Sequence, residues 1–187
     1  MSATAVNIVN IALRSLGVKR ITTISDDVES ARVMTDLYEF MRDQIMESHP
    51  WNFAEVWSDA LAANATAPEF DYTYSYALPA DCLRVIEMED EEDEFKVVGG
   101  NLFTDTVAPK IKYISLITTT GSFSKSFVIV LAARLAAEAA YALTNSNAVS
   151  KQKWEEYFMK LQAAKTTDGQ EGTFEKQEFS SWLTDRG

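Results

Sequence analysis

Apolar residues recur at three- and four-residue steps through Val28, Ala31, Met34, Leu37, Tyr38, Met41 and Ile45, the period of one buried helical face. The spacing predicts an amphipathic helix that ends before Pro50, because a residue preceding proline is pushed out of the α region. Ser25 reads as its N-cap, with Asp26, Asp27 and Glu29 placing carboxylates where the first-turn amides are exposed. A shorter helix precedes it. Thr4 can cap that helix, Val6, Ile8, Val9, Ile11, Ala12 and Leu16 favour one of its sides, and Gly17 stops it.

After Pro50 the period drops to two. Phe53, Glu55 and Trp57 alternate with Ala54 and Val56, and Tyr72, Tyr74, Tyr76 and Leu78 alternate with Asp71, Thr73, Ser75 and Ala77, as half-buried strands do. Residues 61–69 read as the loop between them. Leu83–Met88 is a further predicted strand. Phe95–Val98 and Asn101–Thr104 read as a hairpin, since Gly99-Gly100 accepts the positive φ angles of a tight turn. Lys110–Ile117 predicts the last strand of a small antiparallel β module.

The helical period returns after Thr118-Thr-Thr-Gly121, with Ser122 or Ser124 as cap, and runs to about Leu143. Between Phe127 and Leu143 the only charges are Arg134 and Glu138, at the spacing of a helix-surface ion pair. A helix so nearly apolar all round is expected to be buried, in the core or at a subunit interface. Asn145-Ser-Asn147 interrupts it, and a last helix carries Trp154, Tyr157, Phe158 and Leu161 on one side. The expected fold class is α+β, mainly a helical bundle, with residues 1–50 and 119–168 forming its two parts. A β module at 51–118 interrupts the bundle, and an extended C-terminal arm follows at 169–187.

Charge narrows the partners. The 187 residues carry a net charge of −11, which disfavours sequence-specific nucleic-acid binding and anionic membranes. One cysteine, Cys82, allows no intrachain disulfide and no multi-cysteine metal site; it reads as a small buried apolar residue. The N-terminus lacks the pattern of a secretory signal, and the apolar run from Phe127 to Ala133 is too short to span a bilayer. These features suggest a soluble protein made in a cytoplasm.

Seven of the 28 acidic side chains lie in one stretch: Glu87, Glu89, Asp90, Glu91, Glu92, Asp93 and Glu94. The plain reading is a solvated connection between strands. The functional reading is an acidic ring lining a DNA channel, where it repels phosphate and lets DNA pass. A divalent-cation site is the third reading, although the glycine and alternating ligand spacing of a calcium loop are missing. His49, the only histidine, reads as a structural residue ending the second helix. A two-carboxylate glycosidase built from Asp26, Asp27 and Glu29 is conceivable, but helix capping explains those residues. No P-loop, dinucleotide fingerprint or nucleophile elbow occurs, so neither an enzyme nor a cofactor or metal site is expected. The polar tail after Thr166 keeps Phe174, Phe179, Trp182 and Leu183. Such aromatics either anchor an arm on another protein or fold back onto their own core.

Several segments in order carry a resemblance: Ala12-Leu-Arg-Ser-Leu-Gly17, Ile24-Ser-Asp-Asp27, His49-Pro-Trp-Asn-Phe53, Leu78-Pro-Ala-Asp-Cys-Leu-Arg-Val85, Leu102-Phe-Thr-Asp105, Ile111-Lys-Tyr-Ile114 and the helix segment Ala132-Ala-Arg-Leu-Ala-Ala-Glu138. Together they resemble the tail adaptor proteins of short-tailed bacteriophages, also called tail tubular protein A or head-to-tail connector proteins. The resemblance implies a structural virion protein of the head-tail junction. Its expected partners are the portal protein, a further tail protein, and copies of itself in a ring of twelve subunits that joins head to tail and helps retain the packaged genome. The free protein is expected to be a monomer. Family members grip the portal through their C-terminal region, which implies portal contacts for Phe174, Phe179, Trp182 and Leu183. A siphophage-type head- or tail-completion protein is the nearest rival reading, and a carboxylate-dependent peptidoglycan hydrolase is the rival from another class.

Overall fold

The computed structural model describes residues 4–68, 71–90 and 92–172. The first helix, α1 (Ala5–Ser15), begins where the Thr4 hydroxyl accepts the Asn7 amide and ends at Gly17, whose φ of 71° closes the turn. The second, α2 (Glu29–Glu47), starts later than its sequence suggests. Its cap position is Val28, which has no side-chain cap bond. Ser25 is not the cap, because Asp26 closes the preceding turn by accepting the Thr22 amide at 2.6 Å and the Thr23 hydroxyl at 2.7 Å.

Six strands follow: β1 (Glu55–Trp57), β2 (Tyr74–Ala77), β3 (Cys82–Met88), β4 (Phe95–Val98), β5 (Asn101–Thr104) and β6 (Ile111–Ser115). They make two antiparallel three-stranded sheets, ordered β1-β6-β3 and β2-β5-β4. The chain therefore visits the first sheet three times and leaves it twice to build the second. Gly99 and Gly100, at φ 58° and 77°, turn the β4–β5 hairpin as a two-residue loop requires. Phe53 was expected in a strand but lies in a turn, where the amides of Ala54 and Glu55 both donate to the Trp51 carbonyl. That turn points the Phe53 ring toward Phe123 and Phe127.

Two helices complete the described chain, α3 (Lys125–Thr144) and α4 (Asn147–Gly172). Of the two serines that could cap α3, Ser124 does so, accepting the Phe127 amide. Asn145, in the left-handed region at φ 50°, ends it. α4 continues four residues past 168, so residues 169–172 of the expected arm are helical. The Thr166 and Thr167 hydroxyls bond back to the carbonyls four residues earlier, and Asp168 is anchored as described below. The molecule is thus mixed helix and sheet, and a pure helical bundle is not what forms.

The packing has three layers. α3 sits centrally and meets α1, α2 and α4. Its buried alanines, among them Ala132, Ala136 and Ala139, permit that close approach. The same apolar cluster takes in Trp51, Ala54 and Ile114, so the first sheet lines the helical core. Its other face packs on the second sheet through Ile111, Tyr113 and Met88 against Tyr76 and Leu102. Strict alternation along β3 would place Val85 on the face opposite Cys82 and Met88. Register shifts at Cys82/Arg84 and Val85/Glu87 bring all three to the second sheet, while Leu83 and Ile86 face the helices. α3 is also long and apolar enough to cross a bilayer, yet more than half of that stretch is buried within the fold, the behaviour of a core helix.

Candidate functional site

The segment His49-Pro-Trp-Asn-Phe53 forms the junction between α2, the first sheet and the two last helices. Trp51 is fully buried. Its indole N–H donates to the Ile45 carbonyl at 3.0 Å, satisfying one of the orphan acceptors at the end of α2. Its ring meets Phe127 edge-on at 5.3 Å and His49 at 4.8 Å.

Asp168, from 116 residues further along, inserts its carboxylate into this junction. It is 3% exposed. One oxygen accepts the Asn52 amide at 3.2 Å and lies 3.3 Å from His49 Nε2, while the Asn52 side chain donates to the Asp168 carbonyl. Burial lowers the His49 pKa; the Asp168 carboxylate opposes that shift, while Lys165 and Arg84 add to it. The last turns of α4 are therefore pinned to the start of the sheet. His49 was expected to end the second helix, but α2 ends at Glu47 with Ser48 as its C-cap, and His49 lies just beyond it; its partner could not be read from local sequence.

The acidic stretch does not act as one loop. Glu87 belongs to β3, opposite Lys112 on β6, whose ammonium lies 3.5 Å from Glu87 and 2.9 Å from Glu55. The Glu55 hydrogen bond leads in raising the Lys112 pKa. Glu89 pairs with Lys110 at 2.9 Å. Asp90 caps a turn by accepting the Glu92 amide, and Glu91 lies outside the described residues. Among the described residues, Asp90, Glu92, Asp93 and Glu94 have no ion-pair partner. Phe174, Phe179, Trp182 and Leu183 also lie outside the described residues.

Of the carboxylates weighed for catalysis, Asp26 and Asp27 have structural partners, and Glu29 lies in the first turn of α2. Asp26 and Asp105 are both shifted below the usual carboxylate range by bonds from threonines, Thr23 first for Asp26 and Thr73 for Asp105. A glycosidase acid needs the opposite shift. Asp27 pairs with Arg32. Cys82 is half-buried, and its thiol is pushed up to about 11, first by burial and then by Asp81. It stays protonated and unreactive near neutrality. No group of three or more His, Cys, Asp or Glu side chains that could hold a metal occurs among the described residues.

Several exposed apolar side chains and one groove escaped the sequence reading. Phe40, Tyr141, Phe158 and Met159 are exposed on the helices. A groove of about 720 Å³ lies between α1 and the start of α3, floored by Ile8, Ile11, Phe123, Val128 and Ile129 and rimmed by Arg14, Arg20 and Lys125. Within the chain α3 is not covered on every side, since Ile129 is 51% exposed. Comparison of the chain with protein-family models and with curated proteins finds no match.

Proposed function

We propose that this chain is a structural protein of a bacteriophage virion, a head-to-tail adaptor that forms a ring beneath the portal. The observation that carries the reading is where the resembling segments lie. His49–Phe53 and the Ala132–Glu138 helix segment contribute to the main core, while Cys82–Val85 and Ile111–Ile114 pair as β3 and β6 against it. Segments spread over residues 49–138 thus build one continuous scaffold, as expected if they are defining parts of an adaptor fold.

In this reading the helices at 1–50 and 119–168 are the bundle, residues 51–118 are its inserted β module, and residues 169–187 supply an arm whose first turn extends α4. The protein is not an enzyme and needs no cofactor. The exposed Phe40, Tyr141, Phe158 and Met159 would be covered by neighbouring subunits. Phe174, Phe179, Trp182 and Leu183 would grip the portal. Asp90, Glu92, Asp93 and Glu94, which have no ion-pair partner among the described residues, would face passing DNA. The free chain is a monomer that assembles on the portal as a ring of twelve and then receives the next tail protein.

Electron microscopy of the purified protein mixed with its cognate portal tests the proposal. An added ring of density on the portal supports it. Persistent free monomers beside unchanged portals would overturn it.

A further inference from the structure

The groove between α1 and α3 is an unusual feature on so acidic a chain. Its rim carries Arg14, Arg20 and Lys125, its lining contains no carboxylate, and none of the three cations has an ion-pair partner among the described residues. Its floor is aliphatic and aromatic, with Ile11 and Ile129 open to solvent. A matching occupant has large apolar side chains with carboxylates beside them.

Residues 173–187 carry such pairs: Phe174 is followed by Glu175, Phe179 is preceded by Glu178, and Trp182-Leu183 is followed two residues on by Asp185, against the two cations Lys176 and Arg186. The exit of the described chain is also at the right end of the molecule. α4 runs back along α3 toward its start, because Asn52, held by Asp168, neighbours Phe53, which packs on Phe123 and Phe127. Phe123 itself floors the groove. From Asp168 to Gly172 the helix advances about 6 Å. The fifteen residues beyond reach at most about 50 Å when extended, ample for a groove formed by a few helical turns.

We propose that residues 173–187 occupy the α1–α3 groove of their own chain in the free protein, with the aromatic side chains on the apolar floor and the carboxylates against Arg14, Arg20 and Lys125. The proposal stands apart from the adaptor reading, because a free chain can hold this segment whether or not it later meets a portal. If both hold, the portal must draw the segment out of the groove, and the groove keeps the aromatic anchors from premature contacts.

The test uses the full chain with a photoreactive benzoylphenylalanine at position 182, irradiated as a mixture of unlabelled and nitrogen-15-labelled protein and mapped by mass spectrometry. The expected crosslinks fall within one chain, to residues 8–14 and 120–129. Combining Arg14→Glu with Arg20→Glu should lower their yield roughly five-fold or more while leaving the circular dichroism spectrum unchanged, since both side chains are exposed. Crosslinks joining labelled to unlabelled chains would instead make a second copy the occupant and overturn the proposal. Crosslinks elsewhere in the chain, no crosslinks, or a yield indifferent to the charge reversals would overturn it too. Portal binding by electron microscopy is read separately, so each proposal can fail alone.

Discussion

Asp168→Ala should destabilise the protein by about 2 kcal/mol, although the residue lies in a polar stretch near the end of the described chain. The magnitude follows from its bonds. The carboxylate accepts the Asn52 amide and faces His49 Nε2 at 3.3 Å, and it is almost wholly buried. Losing a hydrogen bond to a charged group costs about 1.5–3 kcal/mol, and relief of carboxylate desolvation places the net toward the lower end. Asp168→Asn keeps an oxygen for the Asn52 amide and should cost only about 1 kcal/mol. Equilibrium urea unfolding, followed by circular dichroism and tryptophan fluorescence, reads both. With a slope near 2 kcal/mol per molar urea, the alanine variant's midpoint should fall by roughly 1 M. A double-mutant cycle with His49→Ala should show coupling of at least about 0.5 kcal/mol. A loss below about 0.5 kcal/mol for Asp168→Ala, or zero coupling, would refute the view that this cluster pins α4.

Other consequences can be checked in the same way. Trp51→Ala removes a fully buried indole and its bond to Ile45, and should cost about 3–5 kcal/mol by chemical denaturation. Arg134 stacks over Trp154 at 4.6 Å and Tyr157 at 5.2 Å while pairing with Glu138; Arg134→Ala should cost about 2 kcal/mol, and lysine should recover only part of it. Because His49 is held below its usual pKa, the unfolded chain binds more protons as pH falls through about 6.5. Its contribution to stability is therefore complete above that pH and declines toward the lower folded value. Melting temperatures at pH 7.5 and 5.5 should fall more for the native chain than for His49→Gln, and equal falls would place the acid sensitivity elsewhere.

What was legible in the sequence was whatever depends on near neighbours. Thr4, Ser124 and Gly99-Gly100 act locally, and the helices and the hairpin they bound appear where the pattern puts them. Ser25 misled because Asp26, one residue on, competes for the turn amides. The partition into two sheets was hidden, since β1 and β2 follow each other in sequence yet pair with β6 and β5. Alternation tells which side of a strand is apolar, but it names no partner strand. The Asp168 anchor was hidden for the same reason: a carboxylate among threonines and glycines carries no local mark of its distant amide. The groove was invisible because α3 reads as apolar on every side, and only the placement of α1 reveals which residues remain uncovered.

The three-layer arrangement implies an uneven clock for amide exchange. The second sheet, β2-β5-β4, is made of two excursions from the first and rests on a small separate apolar cluster. It can open while the helices stay closed, so its deuterium uptake should follow a smaller free energy than global unfolding. The amides of α3 should exchange last. A mutation in the outer sheet would then loosen that hairpin layer alone, whereas one beside Trp51 would be felt across the whole chain.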